Sequence, residues 1–137
     1  MTPEEYGRLV REGWDAFNAR DIDGFLATVH PDFDGRSALA ATEGVRYHGL
    51  EGAREWLRNI SESWSEFQGA PEQLLVLGQV GMYVVDLQMR ARASEIELTN
   101  RSYFVTVTQD DRFVLVHAYL DPAESAELFA RLLRERR

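Results

Sequence analysis

Residues 14–34 read WDAFNARDIDGFLATVHPDFD, and residues 47–57 read YHGLEGAREWL. The first stretch continues an apolar stripe, because Tyr6, Leu9, Val10, Trp14 and Phe17 recur at three- and four-residue spacing while Glu4, Arg8, Arg11 and Glu12 fill the opposite side. That period predicts a helix from Pro3 to Asn18 with one buried face, Pro3 in its first turn and Thr2 as its cap. Asp21 is suited to cap a shorter helix whose Ile22, Phe25, Leu26 and Val29 turn inward, with Pro31 as its stop and D-F-D-G-R as a short strand or loop. Ser37 to Gly49 has small residues and no sustained period, which reads as a loop over a site. The second stretch then opens a third helix, with Leu50, Ala53, Trp56, Leu57, Ile60 and Trp64 on one side and an end near Ser65.

Downstream the period changes from helical to alternating. Four strands are expected, at about residues 66–77, 82–93, 95–109 and 112–120, with hairpin-length connections at Ser94 and at Q-D-D. In L-D-P-A-E-S, Asp121 stands at a cap position, Pro122 at the first helical position and Glu124 three residues after the cap, the pattern of a capping box. A terminal helix carrying Leu128, Phe129, Leu132 and Leu133 follows, and its arginine-rich end suits the negative pole of the helix. Three helices followed by an antiparallel meander and a last helix form an α+β pattern, and 137 residues without repeats or linkers are expected to make one domain, residues 1–137.

The formal charge of -8 argues against a nucleic-acid partner, because such binding depends on basic side chains that displace counterions from phosphates. With no cysteine there is no disulfide framework, thiol nucleophile or cysteine metal site, and His30, His48 and His117 are too scattered to suggest a metal centre. No apolar run approaches the length of a membrane span, and the N-terminus lacks the basic-then-apolar order of a secretory signal. The expectation is a cytoplasmic protein with no cofactor and no membrane partner.

Taken together, DAFNARDIDGFLATVHPDF, YHGLEGAREWL, the strand meander and the closing AYLDPAESAELF resemble a SnoaL-like domain of the nuclear transport factor 2-like superfamily. The resemblance implies a cone-shaped curved antiparallel sheet wrapped around three N-terminal helices, with an apolar cavity and a homodimer through the outer sheet face. Its relatives span polyketide cyclases, ketosteroid isomerases, epoxide hydrolases and noncatalytic dimerisation modules, so the fold alone assigns no activity. Strand parity gives an independent reading. Tyr83, Val85, Leu87, Met89 and Ala91 share one face, the expected cavity wall, while Val84, Asp86, Gln88, Arg90 and Arg92 share the other. On the last strand, Val114, Val116, Ala118 and Leu120 oppose Phe113, Leu115, His117 and Tyr119; both sets are largely apolar, and the second is expected at a dimer interface.

The isomerase pattern carried over to this chain would put a carboxylate base at Ser37, a tyrosine donor at Gly13 and a carboxyl donor near Tyr103, which leaves Tyr103 alone able to donate into the cavity. The tryptophan-aspartate pair of cyclase-type relatives falls on His117 and Ala118, so that base is missing as well. The expected site is a pocket for a small hydrophobic molecule, lined by Trp14, Phe17, Trp56, Ile60, Tyr83, Val85, Leu87, Met89, Val116 and Ala118, with Tyr103 and an inward Arg101 as polar contacts. Two alternatives stand beside it. One is a cyclase, isomerase or hydrolase with a non-standard base, such as Asp34 or the Tyr47-His48 turn; the other is a dimeric interaction module without catalysis.

Overall fold

The first helix begins where its cap requires. In the computed structural model, which describes residues 1–38 and 43–136, α1 runs Pro3–Ala19, and the Thr2 hydroxyl accepts from Glu5 N while the Glu5 carboxylate accepts from Thr2 N. This reciprocal pair satisfies two donors that a helix start otherwise leaves open. The short α2 (Ile22–Leu26) is capped by Asp21, which accepts from Gly24 N. It ends earlier than its apolar spacing suggests, because Val29 already belongs to β1 (Val29–Arg36). Pro31 is therefore not a helix stop but a strand residue. It lies inside the irregularity between Val29 and Asp34 in the pairing of β1 with the last strand, where its missing N–H costs no regular ladder bond.

Part of the expected loop is also strand. Arg46–His48 form β2, antiparallel to β1, and Ser37 and Val45 are joined by a backbone bond from Ser37 N to Val45 O at 3.0 Å. Residues 39–42 of that segment lie outside the described residues. Next come α3 (Gly49–Ser63), β3 (Trp64–Leu77), β4 (Val80–Ala91), β5 (Glu97–Gln109), β6 (Arg112–Tyr119) and α4 (Pro122–Glu135). Asp110 and Asp111, both at positive φ (53° and 59°), make the two-residue turn between β5 and β6. At α4, Asp121 accepts from Ala123 N at 2.9 Å, so the cap is present with a shorter reach than the expected box with Glu124.

The curved sheet has the order β2-β1-β6-β5-β4-β3, and each neighbouring pair is antiparallel except β1 with β6, which is parallel. Helices α1 and α3 fill its concave side. Tyr6, Val10, Trp14 and Phe17 of α1 and Trp56, Leu57 and Ile60 of α3 join Val85, Leu87 and Met89 of β4 in the main core. The convex side is covered in part by α4, whose Leu128 and Leu132 pack on Val80, Val105 and Val107, with Leu115 and Tyr119 at the margin. The double apolarity of β6 thus has an intramolecular cover at its Leu115 end. No helix among the described residues is long and apolar enough to cross a membrane.

Bulges decide which residues face in. Opposed residues of paired strands share a face, so Tyr83 opposite Phe104 and Phe104 opposite Ala118 define one inward row, and Val84, Tyr103 and Tyr119 the outward row beside it. A register shift at Val114 brings Phe113 opposite Thr108, on the inner face, which removes Phe113 from the expected dimer set. Only Leu115, His117 and Tyr119 of that set face outward.

Tyr6 is the largest fully buried side chain of α1. Its hydroxyl lies 2.7 Å from Thr106 Oγ1 on β5. Its ring crosses Gly81 so closely that a Cβ there would overlap the ring edge, and the bond to Thr106 holds the ring in place. Gly81→Ala is expected to lower stability by about 1–3 kcal/mol, the range for overpacking a filled core, measured as a drop in the urea midpoint at unchanged m-value.

Candidate functional site

A cavity lies between the concave face of the sheet and the two long helices. Its volume is about 60 Å3. With a further water radius out to its walls, the void is enough for a small ring and not for a polycycle. Val10, Gly13, Trp14 and Phe17 from α1, Trp56 and Ile60 from α3, and Tyr83, Leu87, Phe104, Phe113, Val116 and Ala118 from the sheet form most of the wall.

The aromatic residues fix one another. Tyr83 stacks on Phe104 at 5.0 Å with the planes 6° apart, Trp14 meets Phe104 edge-on at 5.5 Å and 88°, and Tyr47 stacks on Trp56 at 5.1 Å and 6°. Trp14 Nε1 donates to the Tyr83 hydroxyl at 2.9 Å, and Asn59 Nδ2 donates to the Tyr47 hydroxyl at 3.1 Å. Tyr47 therefore supports Trp56 from behind rather than entering the cavity. Asn18 ties the helix end to the sheet, donating to Gly69 O at 2.9 Å and accepting from Gly69 N at 3.2 Å.

Among the described residues the lining contains no Asp, Glu, His, Lys or Arg; its polar side chains are Ser37, Tyr83 and Ser102. Of the residues expected from sequence, Trp14, Phe17, Trp56, Ile60, Tyr83, Leu87, Val116 and Ala118 line the cavity. Val85 and Met89 have the expected inward parity but are buried in the surrounding core, off the wall. Arg101 and Tyr103 are corrections. Arg101 pairs opposite Asp86 on the outer face, where its Nε and Nη2 donate to the two carboxylate oxygens at 2.9 and 3.0 Å. Tyr103 pairs opposite Val84 on the same face, so Ser102 and Phe104 reach the cavity in its place. Their inward parity follows only from the register between β4 and β5, which alternation within one strand does not contain. Phe33, Phe67 and Phe113 also line the wall. The alternation of D-F-D-G signalled the first, and the bulge hid the last.

The charged candidates lie outside. Asp34 shares the outer face with His117, accepts from Arg46 Nε and Nη2 at 2.6–3.1 Å, and leaves His48 at 4.0 Å. Burial works to raise the Asp34 pKa, but Arg46 and His117 outweigh it and hold the carboxyl below its usual value. His117 is 6% exposed; its Nε2 is 3.3 Å from Asp34 Oδ1, yet neither ring nitrogen makes a hydrogen bond among the described residues. Burial pushes its pKa down, and the attraction of Asp34 only partly offsets this. Arg36 donates to Ala118 O and lies over the Tyr119 ring, 4.2 Å from its centroid.

The sequence profile of the SnoaL-like domain matches residues 10–116. The chain belongs to the SnoaL-like domain family. Among solved structures it is similar to a nuclear transport factor 2-like protein of unknown function from Burkholderia pseudomallei, at 22% identity over 94% of this chain and 98% of that one, with a TM-score of 0.76. It is also similar to TerC co-crystallised with polyporic acid, at 17% identity over 90% and 96% of the two chains and a TM-score of 0.72. A putative polyketide cyclase from Sinorhizobium meliloti gives 19% identity over 81% and 93%, with a TM-score of 0.68. No curated protein matches the chain. At such identities these neighbours establish the fold alone, which is α+β with a curved, unclosed sheet.

Because the folded pKa of His117 lies below its ordinary 6.5, the unfolded chain takes up that proton first as the pH falls. The stability contributed by neutral His117 is complete above about pH 6.5 and is lost progressively below it, until the folded state protonates as well. Asp34, also lowered, adds to acid destabilisation only in the carboxylate range. Urea titrations between pH 7 and 5 are expected to give a steeper fall in stability for the native chain than for His117→Gln.

Proposed function

We propose that this SnoaL-like domain binds a small, neutral, largely apolar molecule in the cavity between α1, α3 and the concave sheet. The observation that carries this reading is a preformed void walled by aromatic and aliphatic side chains and free of ionisable carboxylates and bases among the described residues. A charged ligand entering such a wall would lose its hydration without gaining a counter-charge. The co-crystallisation of TerC with polyporic acid supports the idea that this fold accommodates an organic molecule. The outward carboxylate of Asp34, neutralised by Arg46, takes away the leading candidate for a non-standard base inside the cavity.

Burying an alicyclic ring of about 200 Å2 at about 25 cal/mol per Å2 corresponds to dissociation constants of roughly 0.1–1 mM. Gly13 offers a direct test, because a Cβ there would stand at ordinary contact distance, 3.6 Å from Thr28 Oγ1 and 3.7 Å from Phe113. Gly13→Ala is expected to fold with up to about 1 kcal/mol more stability through its helix propensity. Gly13→Leu should fill the void and weaken methylcyclohexane binding at least tenfold in an NMR titration; unchanged binding in Gly13→Leu would remove the cavity as the site.

We also propose a homodimer through the part of the outer face that α4 leaves uncovered. Leu75 and Leu77 of β3 are 45% and 51% exposed there, and the half-buried Met82 and Tyr103 continue the same surface. Sedimentation at micromolar concentration is expected to give a dimer, and the pair Leu75→Glu with Leu77→Lys a monomer of unchanged fold; a monomeric native chain would end this proposal.

A further inference from the structure

A phenol can donate one hydrogen bond and accept two. Tyr83 is 3% exposed, it lines the cavity, and its oxygen accepts from Trp14 Nε1 at 2.9 Å. An indole N–H cannot accept, so this contact leaves the tyrosine proton unused, and no other hydrogen bond of Tyr83 is present among the described residues. Tyr6 is satisfied elsewhere, by Thr106. Leaving a buried donor unpaired is costly, and native proteins keep such groups where a partner arrives. Donation from Trp14 also draws electron density from the phenol oxygen, which strengthens the remaining O–H as a donor.

Other clusters carry less. Asp34 is already paired with Arg46 beside the neutral His117 on the outer face, and the shallow surface between α4 and Tyr119 has Glu124 and Glu127 beside Arg131 and Arg134 with no buried polar group aimed into it. Ser102 donates to Asn100 Oδ1 at 3.0 Å, so its proton is taken. Tyr83 thus combines three properties: it is on the cavity wall, fully enclosed, and has a donor without an acceptor.

We infer that Tyr83, polarised by Trp14, selects ligands that present a neutral acceptor oxygen, a ketone carbonyl being the simplest, and so sets the specificity of the cavity. This deepens the binding proposal and rests on it. The ring of Tyr83 is fixed by its stack on Phe104, so the hydroxyl is preorganised and little freedom is lost on binding. Burial pushes the phenol pKa far up, which keeps the donor protonated throughout the working pH range. An anionic oxygen would find no fixed cation beside this donor among the described lining residues, so the class is neutral carbonyl compounds of about one ring.

The test uses cyclohexanone and methylenecyclohexane, which differ by an oxygen against a CH2 group, titrated by NMR into the native chain and into Tyr83→Phe. The expected result is that Tyr83→Phe weakens cyclohexanone by about tenfold and leaves methylenecyclohexane within about twofold. Equal changes for both molecules, or unchanged cyclohexanone, would overturn the inference while the cavity reading stands. If the native chain bound neither molecule, the cavity reading and the inference would fall together. An infrared measurement needs no variant: the carbonyl stretch of cyclohexanone bound to the native chain should lie below its position in hexane, and a stretch at the hexane position would overturn the inference.

Discussion

The polar tips of two aromatic side chains on one helix hold the structure in register. Helix α1 is apolar on the side that enters the concave sheet, but Tyr6 and Trp14 carry an O–H and an N–H into the buried interior, and each needs a partner at a fixed point. Tyr6 finds Thr106 and Trp14 finds Tyr83, two strand residues on neighbouring strands. Apolar contact alone would let the helix slide along the sheet at small cost. The two bonds, with the Asn18 clamp on Gly69, specify one seating. Gly81 provides the space for Tyr6, and the cavity is the volume left beyond Trp14 once that seating is set.

How much of this could be read beforehand follows from the kind of information each feature needs. The helices are written in local spacing, so the faces of α1 and α3 and the caps Thr2, Asp21 and Asp121 were legible, as was the inward face of β4. Placing Arg101 and Tyr103 required knowing that Asp86 stands opposite Arg101, a relation between strands that neither strand encodes alone. Placing Phe113 required the bulge at Val114, which reverses parity within six residues of correct alternation. The strand β1 was obscured by Pro31, whose usual meaning in a helical context is termination. The family resemblance supplied the cavity and its wall, and its carboxylate positions fell on Ser37, Tyr103 and Ala118, none of which carries a carboxyl group.

The distribution of charge follows the same division between the two faces. The inner face is apolar at each position that lines the void except for hydroxyls, whereas ion pairs such as Asp86 with Arg101 and Asp34 with Arg46 occupy the convex side and the edges. Exposed pairs of this kind contribute little to stability, typically up to about 1 kcal/mol. Their more useful effect is on identity of the faces, since a one-residue slip of β5 would turn Arg101 towards the aromatic wall and leave Asp86 on the outer face without its partner.

The packing of α4 on the convex side has a consequence for how the molecule opens. Around Val80, Val105, Val107 and Leu115, strands β4, β5 and β6 are held between a helix on each face, one belonging to the main core and the other to the cluster of Leu128 and Leu132. Their amide hydrogens become accessible only when both clusters separate, which is close to complete unfolding, whereas β2 and the connection at residues 92–96 border a single layer and can fray alone. Exchange with deuterated solvent would therefore divide the chain into a slow centre at Tyr83 and Phe104 and a fast rim. The wall of the cavity would stay intact while the edges beside it open and close.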